Sequence, residues 1–75
     1  MANNNPLIMW TVYHMRTTGK YVARRWAVTG ASEPVLTGDA YMADTLEAIR
    51  ARLPQGLYCQ PRYEQDDPSI VETWF

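Results

Sequence analysis

Nucleophile chemistry has few starting points in this chain, which holds one histidine, His14, one cysteine, Cys59, and the serines Ser32 and Ser69. A Ser-His-Asp or Cys-His arrangement needs a hydroxyl or thiol within hydrogen-bond reach of an imidazole that a carboxylate orients. His14 stands in an apolar, aromatic run, and both serines stand in turn-like contexts. The reading is therefore a strand histidine and a buried, inert thiol. No catalytic residue is assigned, and the chain is read as non-enzymatic. Glu64, Asp66 and Asp67 offer oxygen ligands but lack the spacing and glycine of a calcium loop. One cysteine permits neither a cysteine-based zinc site nor an intrachain disulfide. The acidic run is read as a solvated turn, with no metal or cofactor. Gly19, Gly30, Gly38 and Gly56 are isolated, each with an ordinary turn or cap role, so no phosphate cradle is formed.

A basic-aromatic segment carries more. Tyr13, Arg16, Lys20, Tyr21, Arg24, Arg25 and Trp26 interleave rings and positive charge, and Trp10 lies just upstream. Three arrangements suit these types. In the leading one, Arg24 lies flat between Trp10 and Trp26 as a cation–π stack and pairs with Glu72. In the second, the face is an interface with another copy or another protein, where Trp, Tyr and Arg are enriched. In the third, hairpin 13–26 stacks single-stranded bases and neutralises phosphates, although a pI near 5.6 is low for a nucleic-acid domain. The candidate binding residues are Trp10, Tyr13, Tyr21, Arg24, Arg25 and Trp26. The functional reading is a small interaction module, self-associating through an aromatic/arginine sheet face. A weak single-stranded nucleic-acid binder is the alternative.

The elements that must position these residues follow from periodicity and punctuation. Residues 44–53 read as the one convincing helix, with Asp44 as N-cap and Glu47 completing a capping box. Leu46, Ile49 and Leu53 form a narrow apolar stripe, Arg50 and Arg52 suit the C-terminal dipole, and Pro54 and Gly56 end the helix. So short a helix is marginal in water, so its stripe must rest on a sheet. Leu7 to Met15 and Tyr21 to Val28 read as strands joined by a Thr17-Thr18-Gly19 loop. That register opposes Trp10 to Trp26 and Val12 to Arg24. It puts Ile8, Trp10, Val12 and His14 on one face with Val22, Arg24, Trp26 and Val28. A two-residue loop at Thr18-Gly19, opposing Trp26 to Thr11, segregates the bulk less well. Residues 31–38 read as a loop with at most a short strand at Val35-Leu36. The segment 39–43 leads to the helix with Tyr41 outward and Met42 beneath it, or forms a third strand. Leu57 to Tyr63 reads as an edge strand because Pro61 removes a ladder donor, and Ile70 to Phe75 as a last strand docked in the sheet. The fold class is α+β: an antiparallel sheet of four or five strands, one helix on one face, in the order β-β-(β)-α-β-β.

At 75 residues the chain is one small domain, 7–75, after a disordered lead-in over 1–6. Three Trp, five Tyr and one Phe supply burial that its size would otherwise deny it. Residues 1–32 hold Arg16, Lys20, Arg24 and Arg25 and no acid, whereas residues 33–75 hold eight acids against Arg50, Arg52 and Arg62. The two halves are read as pairing within one fold, and less simply as presenting a basic face to an anionic partner. The absence of an apolar run of membrane length, of a signal-like N-terminus and of paired cysteines sets the expectation of a cytoplasmic protein without membrane contact.

The skeleton Met9-Trp10-Thr11-Val12-Tyr13, Val22-Ala23-Arg24-Arg25-Trp26, residues 43–54, and Asp66-Asp67-Pro68-Ser69-Ile70-Val71-Glu72-Thr73-Trp74 resembles a group of short uncharacterised bacterial proteins. The resemblance spans most of the chain after the polar lead-in and implies a free-standing small domain. No activity, cofactor or partner is assigned to that group, so it carries no functional residue across.

Overall fold

The register of the first hairpin is set by its turn. In a computed structural model that describes residues 6–30 and 33–75, β1 (Leu7–His14) and β2 (Tyr21–Val28) are antiparallel neighbours. Met15 donates its N–H to the Lys20 carbonyl at 2.8 Å, leaving four residues, Arg16 to Gly19, in the loop. The Met15 carbonyl accepts from Gly19 at 2.7 Å, and Gly19 closes the turn at φ +73°, a conformation glycine adopts without steric penalty. The expected three-residue loop is thus one residue too short. Thr11 pairs with Arg24, Val12 with Ala23, and Trp10 with Arg25. Because side chains alternate, that single step moves every β2 side chain to the other face. Tyr21, Ala23 and Arg25 share a face with Trp10 and Val12, while Arg24 and Trp26 share the opposite one with Met9, Thr11 and Tyr13. The proposed Trp10–Arg24–Trp26 stack does not form.

β3 (Val35–Ala43) is a full strand beside β2, the third strand offered as an alternative to a lead-in over 39–43, and it also takes in the short strand expected at Val35-Leu36. Its register shifts between Arg24↔Ala40 and Trp26↔Leu36. Thr37 to Asp39 bulge out there, with Gly38 at φ +93°. The bulge is tied down by the Thr37 hydroxyl donating to the Arg25 carbonyl at 3.2 Å and by Arg25 pairing with Asp39 at 3.2 Å. A bulge on an edge strand interrupts the unpaired ladder that would otherwise invite aggregation. Tyr41 turns inward onto Trp10, with ring centroids 5.3 Å apart and planes 12° apart, and Met42 is 59% exposed. This inverts the expected orientations, because Tyr41 pairs with buried Ala23 and inherits its face.

Helix α1 (Leu46–Arg52) is capped by Thr45, not Asp44. Thr45 is extended at φ −132°, its hydroxyl accepts from the Ala48 N–H at 3.1 Å, and its carbonyl takes the first helical bond from Ile49 at 3.0 Å. The Asp44 carboxylate sits 3.7 Å from the Lys20 ammonium instead. Thr45→Ala is expected to lower stability by about 1 kcal/mol, read as a shift in the denaturant midpoint. Asp44→Ala, which removes only an exposed pair, should move the midpoint far less.

The helix lies over β2 and β3. Ile49 and Leu53 bury against Trp10, Val12 and Ala23, with Leu46, Tyr41, Val71 and Trp74 packed around them. The chain then adds β5 (Ile70–Trp74) beside β1 and the short β4 (Cys59–Pro61) outside it, giving the order β3-β2-β1-β5-β4, antiparallel throughout. Pro61 is on an edge strand, as its missing donor requires. Tyr58 and Phe75 exchange backbone bonds of 2.8 and 3.0 Å, which docks the last residue against the edge. The fold is an α+β sheet-and-helix domain. Residues 1–5 of the lead-in expected over 1–6, and residues 31–32, lie outside the described residues.

Candidate functional site

Two groups of side chains remain to be assigned a role, one on each side of the sheet. On the helix side, Glu72 pairs with Val12 and is only 4% exposed. A carboxylate so placed needs partners, and it has three donors. Arg50 gives Nε at 2.8 Å and Nη2 at 2.6 Å in a two-pronged clasp, and the Trp74 indole N–H gives a third bond at 2.6 Å. The Arg50 bonds, assisted by Trp74, hold the carboxyl below the ordinary glutamate range against the opposing effect of burial. The same clasp raises Arg50. Glu72 was expected to pair with Arg24; it pairs with Arg50 because the helix carries Arg50 across to β5 and the register turns Arg24 away. Next to it, Cys59 is exposed rather than buried, since β4 is an edge strand with β5 on one side only. Its thiol is nevertheless raised, first by partial burial of the sulfur and then by the Glu72 carboxylate.

Aromatic–cation layering also occurs on this side, from different residues than expected. The Arg52 guanidinium lies 5.0 Å above the Tyr41 ring, which stacks on Trp10. Ala23, small and fully buried between Val12 and Tyr41, leaves room for these rings to meet across it. His14 stacks on its cross-strand neighbour Tyr21 at 4.6 Å. It sits at the far end of β1 from the level of Cys59, which pairs with Trp74 opposite Trp10. The Ser69 hydroxyl bonds to Asp67 rather than to the imidazole. Among the described residues, no three of His, Cys, Asp and Glu gather as a metal site.

The other side of the sheet carries no helix. The six sequence candidates divide between the faces: Trp10, Tyr21 and Arg25 belong to the helix side, and Tyr13, Arg24 and Trp26 to the helix-free side. Residues outside the six candidates join the latter, chiefly Met9 of β1, Leu36 and Met42 of β3 and Ile70 of β5. A groove runs between Met9, Tyr13, Trp26 and Ile70, rimmed by Glu33 and Asp66. A second, separate groove toward the hairpin tip is lined by Val22, Arg24, Leu36 and Met42, with Asp39 also at its wall. Thr11 on the floor of the first, between Arg24 and Thr73 on the neighbouring strands, is only 8% exposed. The Arg24 guanidinium lies 5.8 Å from the Tyr13 ring centroid. It has no carboxylate within ion-pair distance, and Glu33 and Asp66 have no cation, among the described residues. The buried Trp26 indole N–H likewise finds no acceptor among them.

Among the described residues no helix is long and apolar enough to cross a membrane. Comparison of the chain with models of protein families, with curated proteins and with solved structures finds no match to any of them.

Proposed function

We propose that this domain is a non-enzymatic binding module that docks a protein surface, its own included, on the helix-free side of its sheet. One observation carries the reading. Trp26, Tyr13, Met9, Leu36 and Met42 are gathered on one face with Arg24, which has no ion-pair partner among the described residues, and such a patch of aromatics, methionine and arginine has the composition of interface cores. Nucleic-acid binding is the second reading, favoured by Arg24 beside Tyr13 and opposed by the carboxylates of Glu33 and Asp66, which repel phosphates. The lone exposed cysteine fits a reducing, cytoplasmic setting.

A photoreactive benzophenone side chain placed at Trp26, and separately at the helix-exposed Ala51, tests this in cells making the protein. Protein adducts from position 26 and not from 51 are the expected result. Nucleic-acid adducts from position 26 support the second reading, and their salt dependence would be steep. Absence of adducts at 26 sinks both.

A further inference from the structure

The groove near the hairpin tip has a floor made by the register of β3. Met42 pairs with Val22, Ala40 with Arg24 and, past the bulge, Leu36 with Trp26. The small residues Ala40 and Gly38 therefore lie between two large ones, and a gap of about 430 Å³ opens over the outer strand. Its apolar walls stay wet: Met15, Leu36 and Met42 are 40%, 42% and 59% exposed. Two charged side chains line it, Asp39 and Arg24. The Asp39 carboxylate is already neutralised, taking Arg25 at 3.2 Å and the Thr37 hydroxyl at 3.2 Å. Arg24 is exposed, and among the described residues no carboxylate lies within ion-pair distance of it. Arg16, which follows Met15 at the hairpin tip, likewise has none. The groove thus presents apolar walls with a single uncompensated charge, and that charge is positive.

We infer, resting on the docking reading above, that this groove takes an acidic segment of a partner protein. An apolar side chain of that segment fills the gap over Ala40, and a neighbouring aspartate or glutamate reaches Arg24. Arginine meets a carboxylate through two parallel N–H donors, which fixes orientation as well as adding affinity. Met15 and Met42 adapt their shape to what enters, as flexible thioether side chains do. A small apolar acid makes a poorer occupant, since sites for such ligands bury about 70–90% of them and walls this exposed do not enclose one. A single-stranded nucleic acid finds no ring to stack on among the lining residues.

Amide chemical-shift mapping on the full chain, with circular dichroism to confirm that each variant folds, tests the inference. The probe is a short capped peptide of leucine and glutamate. It is set against the same peptide with lysine for glutamate, against octanoate, and against vesicles containing phosphatidylserine. The glutamate peptide is expected to shift the amides of Val22, Arg24, Ala40 and Met42. It should bind about tenfold or more tighter than the lysine peptide, because the charge facing Arg24 changes sign. Arg24→Glu should reverse that order. Ala40→Ile, which fills the gap with a strand-favouring residue, should abolish binding, whereas Arg52→Glu on the helix side should leave it unchanged. Equal affinity for the two peptides, shifts centred on Met9 and Ile70, or indifference to Ala40→Ile overturns the inference. So does tighter binding of octanoate or of the vesicles than of the glutamate peptide. A peptide that fails to bind while position 26 still gives protein adducts removes the acidic partner and leaves the docking reading standing, and failure of both removes both.

Discussion

Arg50→Ala should leave the domain largely unfolded at room temperature. The substitution strands Glu72, 4% exposed, without its counter-ion and with only the Trp74 indole N–H as a donor. Breaking a buried pair by removing one partner costs about 3–5 kcal/mol. The lower end applies because the Arg50 side chain is 43% exposed, so water reaches the rim of the pair. A domain of this length has only a few kcal/mol in reserve, so about 3 kcal/mol is most of it. Glu72→Gln should be milder. It leaves a neutral amide that still accepts from Trp74, and it frees an arginine that can turn into solvent. The order Arg50→Ala worse than Glu72→Gln, measured by urea titration, is the signature of a stranded carboxylate. The reverse order would mean that the arginine, not the acid, is the buried charge.

The same pair sets an acid limit. Glu72 titrates lower in the folded chain than an unfolded glutamate does. Its contribution to stability is therefore fully present above the unfolded value, near 4.3, and is lost as pH falls from there through the depressed folded value. Wild-type melting temperatures should drop over that window, and in Glu72→Gln the part of the drop due to this group should vanish. A profile of unchanged steepness in Glu72→Gln would assign acid sensitivity elsewhere.

Ile49→Ala is the second large effect, at about 2–5 kcal/mol. Ile49 is fully buried and is the only buried residue within α1, so it carries the contact between helix and sheet. Seven helical residues cannot hold their conformation in water unaided, and loss of that anchor removes both the roof and the burial of Val12 and Ala23 beneath it. Thermal melts followed by circular dichroism should show little or no cooperative transition. Ile49→Val, which removes one methylene, should lower stability by about 1 kcal/mol and keep the transition.

Composition and local pattern went a long way toward this architecture. The Leu46, Ile49 and Leu53 stripe with Pro54 and Gly56 behind it defined the helix, because capping and periodicity are properties of neighbouring residues. Pro61 marked an edge strand for an equally local reason, its missing N–H. Thr45 took the cap from Asp44 by a margin of one residue, within the reach of the same reasoning but beyond its precision.

What lay outside local pattern was the turn length and the bulge. Thr17-Thr18-Gly19 is compatible with loops of two, three or four residues, and the choice decides whether Arg24 and Trp26 meet the helix or face away. The outcome rests on packing: the four-residue loop sets fully buried Ala23 under the Trp10–Tyr41 stack. The three-residue register would put Arg24, a charged side chain, in line with Trp10 and Val12. Likewise β3 could not be read as one strand, since Gly38 and Asp39 look like a break until Arg25 ties down Thr37 and Asp39 on either side of Gly38. The candidate site was half visible for the same reason. Residue types named the aromatic and basic side chains, but only strand pairing over long sequence separations brought Met9, Leu36 and Met42 onto the face of Trp26 and sent Trp10, Tyr21 and Arg25 to the opposite side. The amino-acid sequence by itself determined a helix, its apolar stripe and a strand-rich remainder, all fixed by interactions within a few residues. Tertiary structure alone decided which face each β2 side chain occupies, because a pleated strand has two equivalent sides until something packs against one of them.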